Sequence, residues 1–147
     1  MSSWAEVEAA EPDFARKVRE VFDAHKHKTM ATVRRDGSPR ISGIEIEFSD
    51  GEVFVGMMPE SVKFGDLQRD PRVAFHSGSE ETPAGDPASW RGDAKIAGRA
   101  IEVSEEKYKR FRIDISEVVL IRVGRPADHL VVESWHPDRG LMRRERR

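Results

Sequence analysis

The run Met57-Met-Pro-Glu-Ser-Val-Lys63 is the part of this sequence whose residue types and spacing point most directly to chemistry. Apolar residues end there, Pro59 turns the chain, and Ser61 and Lys63 fall in the first turn of a predicted helix. The opening turn of a helix presents unpaired backbone N–H groups and a partial positive charge. A hydroxyl and an ammonium beside those groups make a site for a dianionic phosphate. Arg34 and Arg40, on a predicted hairpin, add charge if they fold over the same place. The plainer reading makes Ser61 a helix cap and Lys63 a solvated lysine, and the pattern alone does not separate the two.

Other reactive side chains are sparse. His25 and His27 flank the end of the first predicted helix, with no third histidine or local carboxylate to complete a metal site. His76 reads as a sheet residue, and Glu45 and Glu47 alternate along one strand as a solvated face. There is no cysteine, so thiolate metal sites, disulfides and cysteine nucleophiles are excluded. No catalytic or metal-ligating constellation is predicted.

The elements that must position Ser61 and Lys63 follow from periodicity. Phe14, Val18, Val21 and Phe22 mark one face of a helix from about Pro12 to His25. The period then shortens. Lys28–Arg34, Pro39–Phe48 and Glu52–Met57 read as three strands joined at Asp36-Gly37 and Asp50-Gly51, an antiparallel meander. Ile41, Gly43, Glu45 and Glu47 share one face of the middle strand, and Ser42, Ile44, Ile46 and Phe48 the other. Pro59–Gln68 reads as a short helix, Arg72–Ser77 as a strand, and 78–88 as an exposed loop. Trp90–Val103 is a long strand with Gly98 a bulge point. A helical turn or two at Ser104–Phe111, strands at Val118–Val123 and Asp128–Trp135, and a charged tail complete the chain. Many short strands and few helices predict a closed or nearly closed β-barrel.

The 147 residues suit one domain, with a helical segment at 1–27 and a charged tail at 141–147. Hydrophobic residues are 37% and charged residues 35%, but the apolar ones are concentrated in short runs that can build a core. A net charge of −2 argues against a nucleic-acid partner, as does Glu145 embedded in the arginine-rich tail. The acidic N-terminus is unlike a signal peptide, and no apolar run approaches the roughly 20 residues of a membrane span. A cytoplasmic protein with no membrane partner is expected.

The run Thr29-Met-Ala-Thr-Val-Arg-Arg-Asp-Gly-Ser-Pro-Arg-Ile-Ser-Gly43 resembles the opening hairpin of the pyridoxamine 5′-phosphate oxidase-like family. That family includes flavin- and deazaflavin-dependent split-barrel oxidoreductases. Ser61-Val-Lys-Phe-Gly-Asp-Leu-Gln-Arg-Asp-Pro-Arg-Val-Ala-Phe75 resembles its S-x-K-x-x-N-L-x-x-D-P-R-V segment, the most specific part of the match. Gly98-Arg99-Ala100 resembles its E-G-x-A strand. The resemblance implies a mainly β FMN-binding split barrel of about six or seven antiparallel strands. It also implies FMN, or alternatively F420, bound at a homodimer interface. Lys63 would contact the phosphate with Ser61 in support. Thr29 to Arg34 would border the flavin, Ser42, Gly43 and Ile44 would lie along its ring, and Met57 would line the ribityl chain. Trp135 and Arg139 resemble a C-terminal pair that reaches the flavin of the partner subunit. This sequence has Val62 where the vitamin oxidases have arginine, and Asp66 in place of asparagine. The motifs that hold pyridoxine phosphate are not evident. The expected activity is hydride transfer to or from a small organic substrate. The alternatives are a non-catalytic flavin or F420 storage module and a cofactor-free interaction barrel.

Overall fold

The computed structural model describes residues 1–104 and 107–147. Two helices come first. α1 spans Trp4–Ala10, inside the 1–27 segment but ahead of the one helix read there, and its sequence carries a start signal: Ser3 caps it by accepting a hydrogen bond from the Glu6 amide, the first half of an S-x-x-E box. α2 spans Pro12–Asp23, with Pro12 in its first turn as predicted. Its apolar stripe Phe14, Ala15, Val18, Val21 and Phe22 is buried. Trp4 meets Phe48 edge to face at 5.0 Å between ring centroids.

The strands are β1 Lys28–Val33, β2 Pro39–Ile44, β3 Ile46–Ser49, β4 Glu52–Met57, β5 Arg72–His76, β6 Asp93–Glu102, β7 Lys109–Val123, β8 Leu130–His136 and β9 Gly140–Arg146. Helix α3, Val62–Arg69, lies between β4 and β5 in sequence. Hydrogen-bonded neighbours run β2-β1-β5-β6-β7-β4-β3, all antiparallel. Because β2 runs on into β3 through Glu45, this path closes into a barrel. β8 and β9 extend the sheet outward from β7. The predicted mainly β split barrel is therefore present, with nine strands among the described residues rather than six or seven.

The sheet differs from the prediction in three places, of which the first and last add the two extra strands. The predicted middle strand of the meander is divided at Glu45: its first half pairs with β1 and its second with β4. Its side-chain alternation persists through the break, with Ile41, Gly43, Glu45 and Glu47 exposed and Ile44 buried. The predicted helical turn at Ser104–Phe111 is partly replaced by strand, since β7 begins at Lys109. Glu105 and Glu106 of that prediction lie outside the described residues. The supposed charged tail is strand β9, paired along its whole length with β8. Its exposed arginines obscure the pattern, because an edge strand beyond the barrel has little apolar surface to bury.

Local chemistry sets the turns. Asp50 and Gly51 both have positive φ, 52° and 72°, the two-residue hairpin geometry matching strand twist. At Gly98 the β6–β7 register shifts, as expected of a bulge, and a Cβ there would collide with the Asp114 carbonyl. The core gathers Trp4, Phe22, Met30, Ile96, Phe111, Ile113, Ile115 and Leu120, all under 2% exposed. Each such side chain contributes about 1.5–3 kcal/mol on burial.

Candidate cofactor-binding site

α3 packs against the β1–β2 hairpin and brings the two resembling sequence segments together. Thr29 and Gly43 are direct cross-strand partners in that hairpin. The Lys63 ammonium donates to the Gly43 carbonyl at 2.9 Å. It has no acidic partner among the described residues, so its charge meets only a neutral oxygen. Thr29 and Gly43 are exposed, and the space above Gly43 is open: a Cβ there would meet nothing within 4 Å. Lys63, Thr29 and Gly43 thus form one surface at the start of α3.

The remaining predicted residues divide. Ser61 occupies the N-cap position, but its hydroxyl makes no cap hydrogen bond; it turns back to donate to the Met58 carbonyl at 2.8 Å. Its expected role as a side-chain cap is corrected accordingly. Val62 is 62% exposed. Met57 ends β4 and is buried. Ser42 is half-buried and Ile44 buried, on the face of β2 opposite Gly43. Arg34 is exposed, with its Nε donating to the Pro39 carbonyl at 3.2 Å. An open cleft of about 920 Å³ lies next along the chain, lined by Met58, Pro59, Glu60, Lys107, Tyr108 and Lys109.

Arg40 does not supply the free charge the sequence offered. Its Nε donates to the Asp66 carboxylate at 2.7 Å. Asp66 is 2% exposed, and it also accepts from the Thr32 hydroxyl at 2.8 Å and from Arg69 at 3.0 Å. Burial is the largest influence on the Asp66 carboxyl and acts to raise its pKa, but the bonds from Arg40, Thr32 and Arg69 together outweigh it, leaving the pKa below the usual aspartate range. Only the Arg69 contact, three residues along one helix, had a local sequence signal. Thr32 and Arg40 reach Asp66 through the fold alone.

Trp135 and Arg139 stand apart. Trp135 lies on β8 and is 4% exposed within the core cluster. Arg139 sits in the exposed β8–β9 turn. No hydrogen bond or ion pair among the described residues links either to Lys63, Thr29 or Gly43. Three of the five histidines have polar partners: His76 the Ser77 carbonyl, His129 the neighbouring Asp128, and His136 the Glu117 carboxylate across the β7–β8 pair.

The sequence pattern of the family described as Pyridoxamine 5′-phosphate oxidase matches residues 14–144. No curated protein matches the chain. Among solved structures, a pyridoxamine 5′-phosphate oxidase-related, FMN-binding protein from Nostoc punctiforme superposes with a TM-score of 0.64 at 11% identity, covering 100% of this chain and 98% of that one. PhzG from Burkholderia lata, solved with tetrahydrophenazine-1-carboxylic acid, gives 0.62 at 14% identity over 95% and 88% of the two chains. HutZ, the haem storage protein of Vibrio cholerae, gives 0.54 at 16% identity over 73% and 90%. At such identities the structural likenesses speak for the fold, while the match across residues 14–144 speaks for descent. This chain belongs to the pyridoxamine 5′-phosphate oxidase family.

Proposed function

We propose that this protein is a flavin-type cofactor-binding oxidoreductase that grips a cofactor phosphate with Lys63 and transfers hydride to or from a small organic substrate. The observation that carries the reading is the Lys63 ammonium held at 2.9 Å on the Gly43 carbonyl, across the hairpin from exposed Thr29. A phosphate dianion offers this ammonium a charged acceptor in place of a neutral one, and charge-assisted bonds are roughly twice as strong. The FMN-binding description of the Nostoc relative supports FMN, with F420 the alternative. When bound, such a cofactor supplies the hydride chemistry itself. The chain's part is then to hold it: Lys63, Thr29 and Arg34 at the phosphate end, Gly43 along the ring with Ser42 and Ile44 contributing backbone only, since their side chains turn to the opposite face, and Met57, Ser61 and Val62 between strand and helix. Ile41, Met58 and Val62 are all at least 60% exposed, which favours a second copy covering this surface in a homodimer. Arg139, exposed in its turn, is available to such a partner, whereas Trp135 is spent on the core. Cysteine-free composition fits a cytoplasmic location.

A second reading, a flavin holder without turnover, is favoured by the thinness of the grip. Ser61 is turned toward Met58, and Val62 brings no charge.

Purified protein titrated with FMN and with F420 tests the proposal. Bound FMN gives absorbance at roughly 450 nm, and bound F420 shows as fluorescence quenching. Lys63→Ala is expected to weaken the bound cofactor by about 1.5–3 kcal/mol, the scale of a hydrogen bond to a charged group. Unchanged affinity removes Lys63 from the site, and absence of binding to either cofactor at micromolar concentration overturns the function. Tight binding without turnover selects the holder.

A further inference from the structure

The hairpin and α3 are joined at two places, and the two are built differently. Lys63 and Asp66 are three residues apart and so lie on one side of α3, about one turn from each other. Lys63 touches the hairpin at the Thr29–Gly43 pair. Asp66 touches it at the Thr32–Arg40 pair, and those two residues are also direct cross-strand partners. One carboxylate oxygen, Oδ2, thus accepts from both strands at once, while Oδ1 accepts from Arg69. Arg69 in turn donates to the Val33 carbonyl at 3.3 Å. The Asp66 end is buried and fully engaged, and the Lys63 end is open to solvent with a single neutral acceptor.

We propose that Asp66 is the positioning residue of the anion site: it clamps α3 to both strands of the hairpin so that Lys63 faces the Thr29–Gly43 surface at fixed spacing. When an anion displaces the Gly43 carbonyl, the ammonium gives up its only bond to the hairpin. The helix would then be free to shift if nothing else held it. The Asp66 clamp keeps it in place, so the cost of ordering the site is met before the ligand arrives. It also keeps Arg40 away from the ligand, leaving Lys63 as the cation of the grip on α3.

This inference rests on the proposed phosphate site, and the experiment separates the two. FMN and riboflavin, which lacks the phosphate, are titrated against wild type, Asp66→Ala, Asp66→Asn and Thr32→Val. The clamp predicts that Asp66→Ala weakens FMN about tenfold and riboflavin less than twofold. Asp66→Asn should fall between wild type and Asp66→Ala, because its single amide oxygen can accept from Thr32 and Arg40 but its NH2 cannot accept from Arg69. Thr32→Val removes one bond of three, and it carries the test at about threefold if Asp66→Ala does not fold. Equal losses for the two flavins in these variants, or no loss, overturn the assignment. Amide exchange decides the case independently of any flavin. Protection in 29–33, 40–44 and 62–69 should fall together in the Asp66 and Thr32 variants, and by more than any fall in β8–β9. Wild type that binds neither flavin would overturn the function, and the exchange result would then still confirm or reject the clamp.

Discussion

Asp66 and Asp70 lie one helical turn apart, at α3 and its C-cap, and both hold arginine, yet they do different things. Asp70 meets Arg72 two residues away, on a side chain 65% exposed, in a bidentate pair at 2.7 Å. Asp66 is buried and reaches 34 and 26 residues back to Thr32 and Arg40. The Arg72 hydrogen bonds pull the Asp70 pKa down to about 2. The Asp66 pKa is lowered against an opposing burial cost. A large pKa shift at an exposed pair therefore reports local geometry, whereas the pair that organises the molecule is the one that has given up its water. Exposed ion pairs contribute little to stability, but a buried one broken on one side leaves an uncompensated charge.

The comparison can be broken by substitution. Asp66→Ala is expected to cost about 3 kcal/mol of unfolding free energy in a denaturant titration, because Arg40 and Thr32 lose their acceptor inside the structure. That is a sizeable share of the 5–15 kcal/mol typical of a domain. A loss no larger than that of an exposed pair would mean that Asp66 is not structurally special.

Glu52 tests the opposite sign. Burial raises its carboxyl above the usual value of 4.5, and its Oε2 is buried without a partner. A raised folded pKa means that the ionised form is the strained one, so the destabilisation sets in as pH rises through the ordinary glutamate range and is complete above the raised value. Glu52→Gln should raise the melting temperature at pH 7 and leave it unchanged at pH 3. An equal change at both pH values would assign the effect to packing.

Asp70→Asn is expected to have the smallest effect, lowering the melting temperature at pH 7 by roughly 1–3 °C, as befits an exposed pair. Its signature is in the acid limb. A depressed carboxyl stabilises the fold above its unfolded value and loses that contribution as pH falls from near the usual 3.8 toward about 2. The variant should show a shallower fall over that interval. A slope identical to wild type would show that the Asp70–Arg72 pair persists in the unfolded chain.

What the sequence determined by itself was whatever neighbours along the chain decide. Asp50-Gly51 turns because both positions tolerate positive φ, β4 lies at Glu52–Met57 as read, and the α2 stripe is buried as its spacing required. The Ser61–Lys63 segment and the Thr29–Gly43 hairpin were legible as separate motifs. Only the tertiary structure decided that Lys63 rests on Gly43 and that Arg40 is taken by Asp66. Those contacts span 20 and 26 residues and depend on where α3 lands on the hairpin. The break at Glu45 and the pairing of β9 are of the same kind. Each is set by which strand edge is free when the barrel closes, a property of the assembled sheet that no local spacing encodes.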